Sequence, residues 1–213
     1  MIARKHILIL GAGFGGLVLA NLLRKNLTEE HQITVVDKRQ HYLMGLVNLW
    51  ILSGTRSLKD SRVPLNKLQN KGIRFLNDEI TGIDFSRNNV TTKATHKLEY
   101  DYLVIALGAE LAPELVDGFL ANEGYDMYDV EQIPKLRQKI LSQESGRIAM
   151  CIADIPYECP PAPYEASLLI NDLLIKNGTR ECIELDMYVP TSISLPVAGV
   201  TVSQDVVNLL TDN

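Results

Sequence analysis

Residues 5–37, KHILILGAGFGGLVLANLLRKNLTEEHQITVVD, decide the fold, and they read as a strand, a glycine turn, a helix and a second strand. An apolar run over 7–10 enters the turn. Beyond it Leu17, Ala20, Leu22 and Leu23 recur on a helical period, and a second apolar run over 33–36 closes on Asp37. Gly11, Gly13 and Gly16 fit the spacing G-x-G-x-x-G. Glycine triplets are common. What ties this one to a dinucleotide is the strand before it, the helix after it and an acidic residue about 20 positions further on. In that setting Gly11 permits the tight turn, Gly13 lets the backbone approach a pyrophosphate, and Gly16 lets helix and strand pack closely. The helix N-terminus adds unpaired N–H groups and the positive end of its dipole. Asp37 can accept hydrogen bonds from both ribose hydroxyls, and its charge disfavours a 2′-phosphate. The bland alternative is a βαβ unit whose glycines only turn the chain.

The whole sequence of 213 residues is long enough for one or two domains with a sizeable core. Its net charge of −5 and the lack of any Lys/Arg cluster argue against a nucleic-acid surface. No stretch reaches the ~18 uninterrupted apolar residues of a membrane span. The run over 7–10 is too short for a signal-peptide core, so a cytoplasmic location is the default expectation. Cys151, Cys159 and Cys182 are too few and too scattered for a disulfide scaffold or a metal site, which leaves thiol chemistry.

After Asp37 the regular pattern breaks. Residues 38–62, with the apolar group 46–52, read as a helix and loops lining a cofactor. Lys38, Arg39 and His41 fall near the ribose end or else are plain solvated charges. Residues 65–71 look helical and Gly72 ends them. Strands follow at 73–76, 79–85 and 90–95, with Asn88-Asn89 as a turn, implying a small inserted antiparallel sheet. The segment 100–109, YDYLVIALGA, reads as a parallel strand buried on both faces. Composition shifts near 110. The second half is read as a helix over 130–143, a strand over 147–153, the loop DIPYECPPAP, a helix over 164–177 capped by Gly178, a strand over 182–189, and a short helix over 203–210. It repeats the strand, loop, helix, strand order of the first half, but no glycine occurs between Arg147 and Asn177. A pyrophosphate needs glycines for backbone approach, so this second unit reads as Rossmann-like without an ordinary nucleotide site. Cys151 and Cys182, on its strands, are expected in the core.

GAGFGG, YDYLVIALGA and above all PYECPPAPYEA resemble the sulfide:quinone oxidoreductases and the flavin subunit of sulfide-oxidising flavocytochromes, within the FAD-dependent pyridine nucleotide-disulfide oxidoreductase superfamily. The resemblance implies an α/β chain of two domains. Residues 1–110 would be a Rossmann-like FAD-binding domain with the inserted antiparallel sheet. Residues 111–213 would be a second Rossmann-like domain, of degenerate NAD-binding type, carrying a redox cysteine loop. It implies FAD held by Gly11, Ala12, Gly13, Phe14, Gly15, Gly16, Asp37 and Lys38, with Ile80 near the adenine and Ala106, Leu107 and Gly108 beside the cofactor. The family usually has threonine where this chain has Leu107. Cys159 would be the redox residue, its thiol favoured by the start of the following helix and opposed by Glu158 and Glu165 if they face it.

The implied activity is two-electron oxidation of sulfide, or of another small sulfur donor, with a quinone as acceptor. A second redox cysteine, the returning flavin contact and the quinone and membrane helices of such enzymes fall beyond residue 213. The chain is therefore expected to be the N-terminal half of a longer enzyme, touching a membrane only through its remaining part. The resemblance allows a homo-oligomer. Two alternatives stay open: a type II NADH:quinone oxidoreductase, and a non-catalytic nucleotide-binding fragment or subunit.

Overall fold

The computed structural model describes residues 3–45, 47–94, 96–121 and 124–212. Leu46 and Thr95, placed by the sequence in an apolar group and a strand, lie outside them. In chain order the elements are β1 (His6–Leu10), α1 (Phe14–Asn26), β2 (Gln32–Asp37), β3 (His41–Tyr42), α2 (Val47–Ser53), α3 (Leu58–Ser61) and β4 (Val63–Pro64). Next come β5 (Arg74–Asn77), β6 (Ile80–Asp84), β7 (Asn89–Thr92), β8 (Lys97–Glu99) and β9 (Tyr102–Ile105). The second half holds α4 (Ile133–Ser142), β10 (Gly146–Cys151), α5 (Ala162–Asn177), β11 (Ile183–Tyr188) and α6 (Gly199–Thr211). The chain divides into two compact units, one of residues up to Met44 with Arg62–Glu110, the other of Gly45–Ser61 with the residues from Leu111 onward.

The first unit is built on a four-stranded parallel sheet in the order β5-β2-β1-β9. β1 is central, and its alternating side chains face two different cores. Ile7 and Ile9 pack with Ala20, Ile33, Val35, Leu65, Leu68 and Ile73. Leu8 and Leu10 pack with Val36, Val90 and Leu98, which belong to β2 and to the antiparallel sheet β6-β7-β8. Each fully buried aliphatic side chain of this kind contributes about 1.5–3 kcal/mol. This double burial is why β1 reads as an unbroken apolar run. β9 carries the same kind of run but lies at the sheet edge, with Tyr102 and Ile105 more than half exposed. The expectation of burial on both faces is therefore corrected: an apolar run records no neighbours, and among the described residues β9 pairs with β1 alone. Residues 65–71 form a 3-10 helix, ended by Gly72 in the left-handed region (φ 70°).

In the second unit β10 and β11 pair in parallel, and α5 is the longest helix described, closed by Gly178 at φ 74°. α6 runs further than the short helix expected. Gly45–Ser61 does not belong with its sequence neighbours. α2 buries Val47, Ile51 and Leu52 and packs on α4 and α5, and the Asn48 amide donates to the carbonyls of Met127 (3.0 Å) and Tyr128 (3.1 Å). A boundary read along the chain cannot register such an excursion. Cys151 and Cys182 are both exposed, against the expectation of core positions. The β10–β11 pair has no third strand among the described residues, and Cys182 sits in a 3-10 turn before β11. No helix among the described residues is long and apolar enough to cross a membrane.

Candidate functional site

The glycine turn is where β1 hands the chain to α1. Gly11 has φ +99°, and a Cβ there would lie 2.2 Å from the Ala106 carbonyl oxygen; its N–H donates to the Val36 carbonyl at 2.8 Å. A Cβ on Gly16 would lie 1.9 Å from the Gly11 carbonyl oxygen. Both positions therefore require glycine for the chain's own packing. Gly13 and Gly15 differ. A Cβ on either would meet nothing within 4 Å, and neither has a positive φ. The fold itself gives no reason for glycine there, whereas a ligand backed closely against the turn would supply one.

Gly13 is also the N-cap of α1, without a side-chain cap and with no acidic residue in the first turn. The first amides of this 13-residue helix are left to an outside acceptor. Phe14 stands exposed beside them, and Arg24 and Lys25 complement the far end of the dipole.

Asp37 lies at the end of β2, 5% exposed. Its Oδ2 accepts the Ala12 N–H at 2.7 Å, and its Oδ1 accepts the Arg39 backbone N–H at 2.8 Å. The Arg39 guanidinium adds two more bonds, Nε to Oδ1 at 3.1 Å and Nη2 to Oδ2 at 3.0 Å. Burial pushes the carboxyl upward, but the Arg39 and Ala12 bonds outweigh it, and the group ends below the ordinary carboxylate range. The Asn77 side chain donates to the carbonyls of Asp37 and Lys38, each at 3.0 Å, and the Asp78 N–H donates to the Asp37 carbonyl at 3.1 Å. These bonds tie the entrance of β6, where Ile80 lies half-buried, to Asp37.

Lys38 turns instead to an ion pair with Glu110. Ala106 donates its N–H to Leu10 at 2.8 Å, which brings 106–108 against the turn; Leu107 is exposed, and Gly108 has φ +74° with open space around it. The structure thus gathers Gly11–Gly16, Asp37 and Ala106–Gly108 at one end of the parallel strands. Asn77 and Glu110 were not singled out by sequence; Arg39, expected near the ribose end or else as a solvated charge, lies on the Asp37 carboxylate.

Cys159 lies in the second unit, on the loop between β10 and α5. It is exposed, takes φ +49°, and its carbonyl accepts the Ala162 N–H at 2.9 Å, so it sits immediately before the first turn of α5. The loop is braced by the Tyr157 hydroxyl donating to the Pro160 carbonyl at 3.2 Å. Burial and the neighbouring Tyr164 push the Tyr157 phenol up to about 12. Tyr128, not singled out by sequence, has a buried hydroxyl with no hydrogen-bond partner among the described residues. Burial, then the negative charges that Cys159, Tyr157, Glu158 and Asp126 can carry, push its phenol far upward, so it stays protonated. A cavity of about 290 Å³ in this unit is lined by Tyr164, Asn171, Arg180 and Met187 among others, and by none of the residues expected at the site.

The family model described as pyridine nucleotide-disulphide oxidoreductase matches residues 5–151. The chain is 33% identical over 180 residues to a sulfide-quinone reductase of Aquifex aeolicus, covering 83% of this chain and 41% of the relative. It is 33% identical over 193 residues to a demethylphylloquinone reductase of Synechocystis sp., covering 85% of this chain and 46% of the relative. The solved structure of the sulfide:quinone oxidoreductase from Aquifex aeolicus superposes with a TM-score of 0.80 at 26% identity, covering 97% of this chain and 48% of that one. The chain therefore spans less than half the length of each of these relatives.

Proposed function

Because the chain belongs to the pyridine nucleotide-disulphide oxidoreductase family, whose members of this kind are FAD-dependent oxidoreductases, we propose that it carries the FAD-holding turn and the redox cysteine of a quinone-reducing flavoenzyme oxidising sulfide. The observation that carries the cofactor assignment is the open space over Gly13 and Gly15 beside an uncapped helix N-terminus. Those residues would hold the FAD pyrophosphate, Asp37 the adenosine ribose, and 106–108 would flank the rest. Bound FAD supplies the two-electron acceptor and passes the pair to a quinone.

Sulfide as donor rests on Cys159, an exposed thiol held in an unusual backbone conformation just before a helix. Such a position leaves the sulfur accessible to a small sulfur nucleophile or electrophile. A pyridine nucleotide donor is the second reading, favoured by the likeness to the demethylphylloquinone reductase. The glycine-free stretch between β10 and the end of α5 weighs against it.

The test is to incubate the purified chain with FAD, desalt it, record the visible spectrum, and then titrate it anaerobically. Retained flavin bands that sulfide bleaches, with no bleaching in Cys159→Ala, are the expected result. Bleaching by NADH and none by sulfide would replace the sulfide reading with the second one. A colourless protein would remove the cofactor assignment from this length of chain.

A further inference from the structure

A carboxylate offers about four lone-pair positions for hydrogen bonds, and on Asp37 all four are taken. Two donors are main-chain amides, Ala12 and Arg39, and these stay for as long as the turn is folded. The other two are the Nε and Nη2 of the Arg39 guanidinium, a parallel fork on both oxygens. The two sides of this pair are unlike. Asp37 is 5% exposed, while the Arg39 side chain is 57% exposed. The neighbouring Lys38 does not compete, since its ammonium pairs with Glu110.

We infer that Arg39 is a latch on the nucleotide site: its guanidinium occupies the two acceptor positions on Asp37 that the 2′- and 3′-hydroxyls of an adenosine ribose would take. This rests on the nucleotide reading of the glycine turn proposed above. A vicinal diol presents two adjacent donors to a carboxylate, as the guanidinium fork does, so one can replace the other without disturbing the two backbone bonds. A nearly buried carboxylate with half its acceptor positions unfilled would be costly, and Arg39 fills them until a ribose arrives. Binding must then reopen the fork, so the observed affinity is reduced by the fraction of molecules in which Arg39 is already withdrawn. Arg39 is in this sense a specificity-determining residue, because it sets how much the ribose hydroxyls contribute to affinity.

The test compares ADP with 2′,3′-dideoxy-ADP by calorimetric titration of the wild-type chain and of Arg39→Ala. The two nucleotides carry the same phosphate charge, so the loss of the arginine's charge cancels in their affinity ratio. The expected result is a preference for ADP over the dideoxy nucleotide about fivefold greater in the variant than in the wild type. Arg39→Lys keeps a cation but lacks the fork; it moves the ratio the same way and serves if Arg39→Ala folds poorly. An unchanged or smaller ratio, with both nucleotides still bound, overturns the latch and leaves the nucleotide reading standing. Failure of folded wild type and variants alike to bind either nucleotide or FAD overturns that reading, and the latch with it.

Discussion

At the scale of single residues, the three glycines of the motif separate into two kinds although it writes them alike. Gly16 is glycine because a methyl group would sit 1.9 Å from a backbone oxygen. Gly16→Ala is accordingly expected to cost about 3 kcal/mol in denaturant unfolding, as overpacking against main chain does. Gly13 faces open space at φ −77°, so Gly13→Ala should change stability by no more than about 1 kcal/mol, much of it the weaker N-cap. The same substitution should weaken FAD binding at least tenfold, read by flavin fluorescence titration. Equal stability losses in the two variants would mean that both glycines serve only the fold. The motif names the positions, but only the distances reveal which of them the protein itself needs.

At the scale of elements, neighbours decide what an apolar run is worth. β1 is flanked by β2 and β9 and covered on both faces, whereas β9 is an edge strand. Ile9→Ala should therefore cost about 3–4 kcal/mol, while Ile105→Thr, at a residue 54% exposed, should stay within about 0.5 kcal/mol. Chemical denaturation of the two variants checks the contrast, and comparable losses would show β9 to be covered in solution. The end of α5 gives a second case. Gly178 holds φ 74° with nothing within 4 Å of an added Cβ, so Gly178→Ala should cost about 1 kcal/mol from left-handed backbone strain alone.

At the scale of the whole molecule, acid should be the destabilising direction. His6 is held below its usual range chiefly by burial, with its ring nitrogens 2.6 Å from the Glu99 carbonyl and 2.8 Å from the Thr34 hydroxyl. A depressed folded value means that its contribution is present above about pH 6.5 and is lost as pH falls through that folded value. Asp37, Asp84, Asp101 and Glu110 are also depressed, and Asp78, bonded by Thr92 and His96, falls to about 2. Their contributions are present above about pH 4 and are lost toward pH 2. Urea midpoints measured from pH 8 to pH 3 should fall shallowly below 6.5 and steeply below 4; a midpoint that rises on acidification would contradict this.

The sequence by itself determined the first βαβ unit, the glycine turn, Asp37 at its strand end, the second strand–loop–helix–strand and the stop of α5 at Gly178. Each of these is a local matter of periodicity, backbone freedom or capping, written within a few residues. Only the tertiary structure decided that β9 is an edge, that Gly45–Ser61 joins the second unit, that Cys151 and Cys182 are exposed, and that Arg39 fills the acceptors of Asp37. Those outcomes depend on which side chains and strands meet across long stretches of chain, and a pattern read along one dimension holds no record of that.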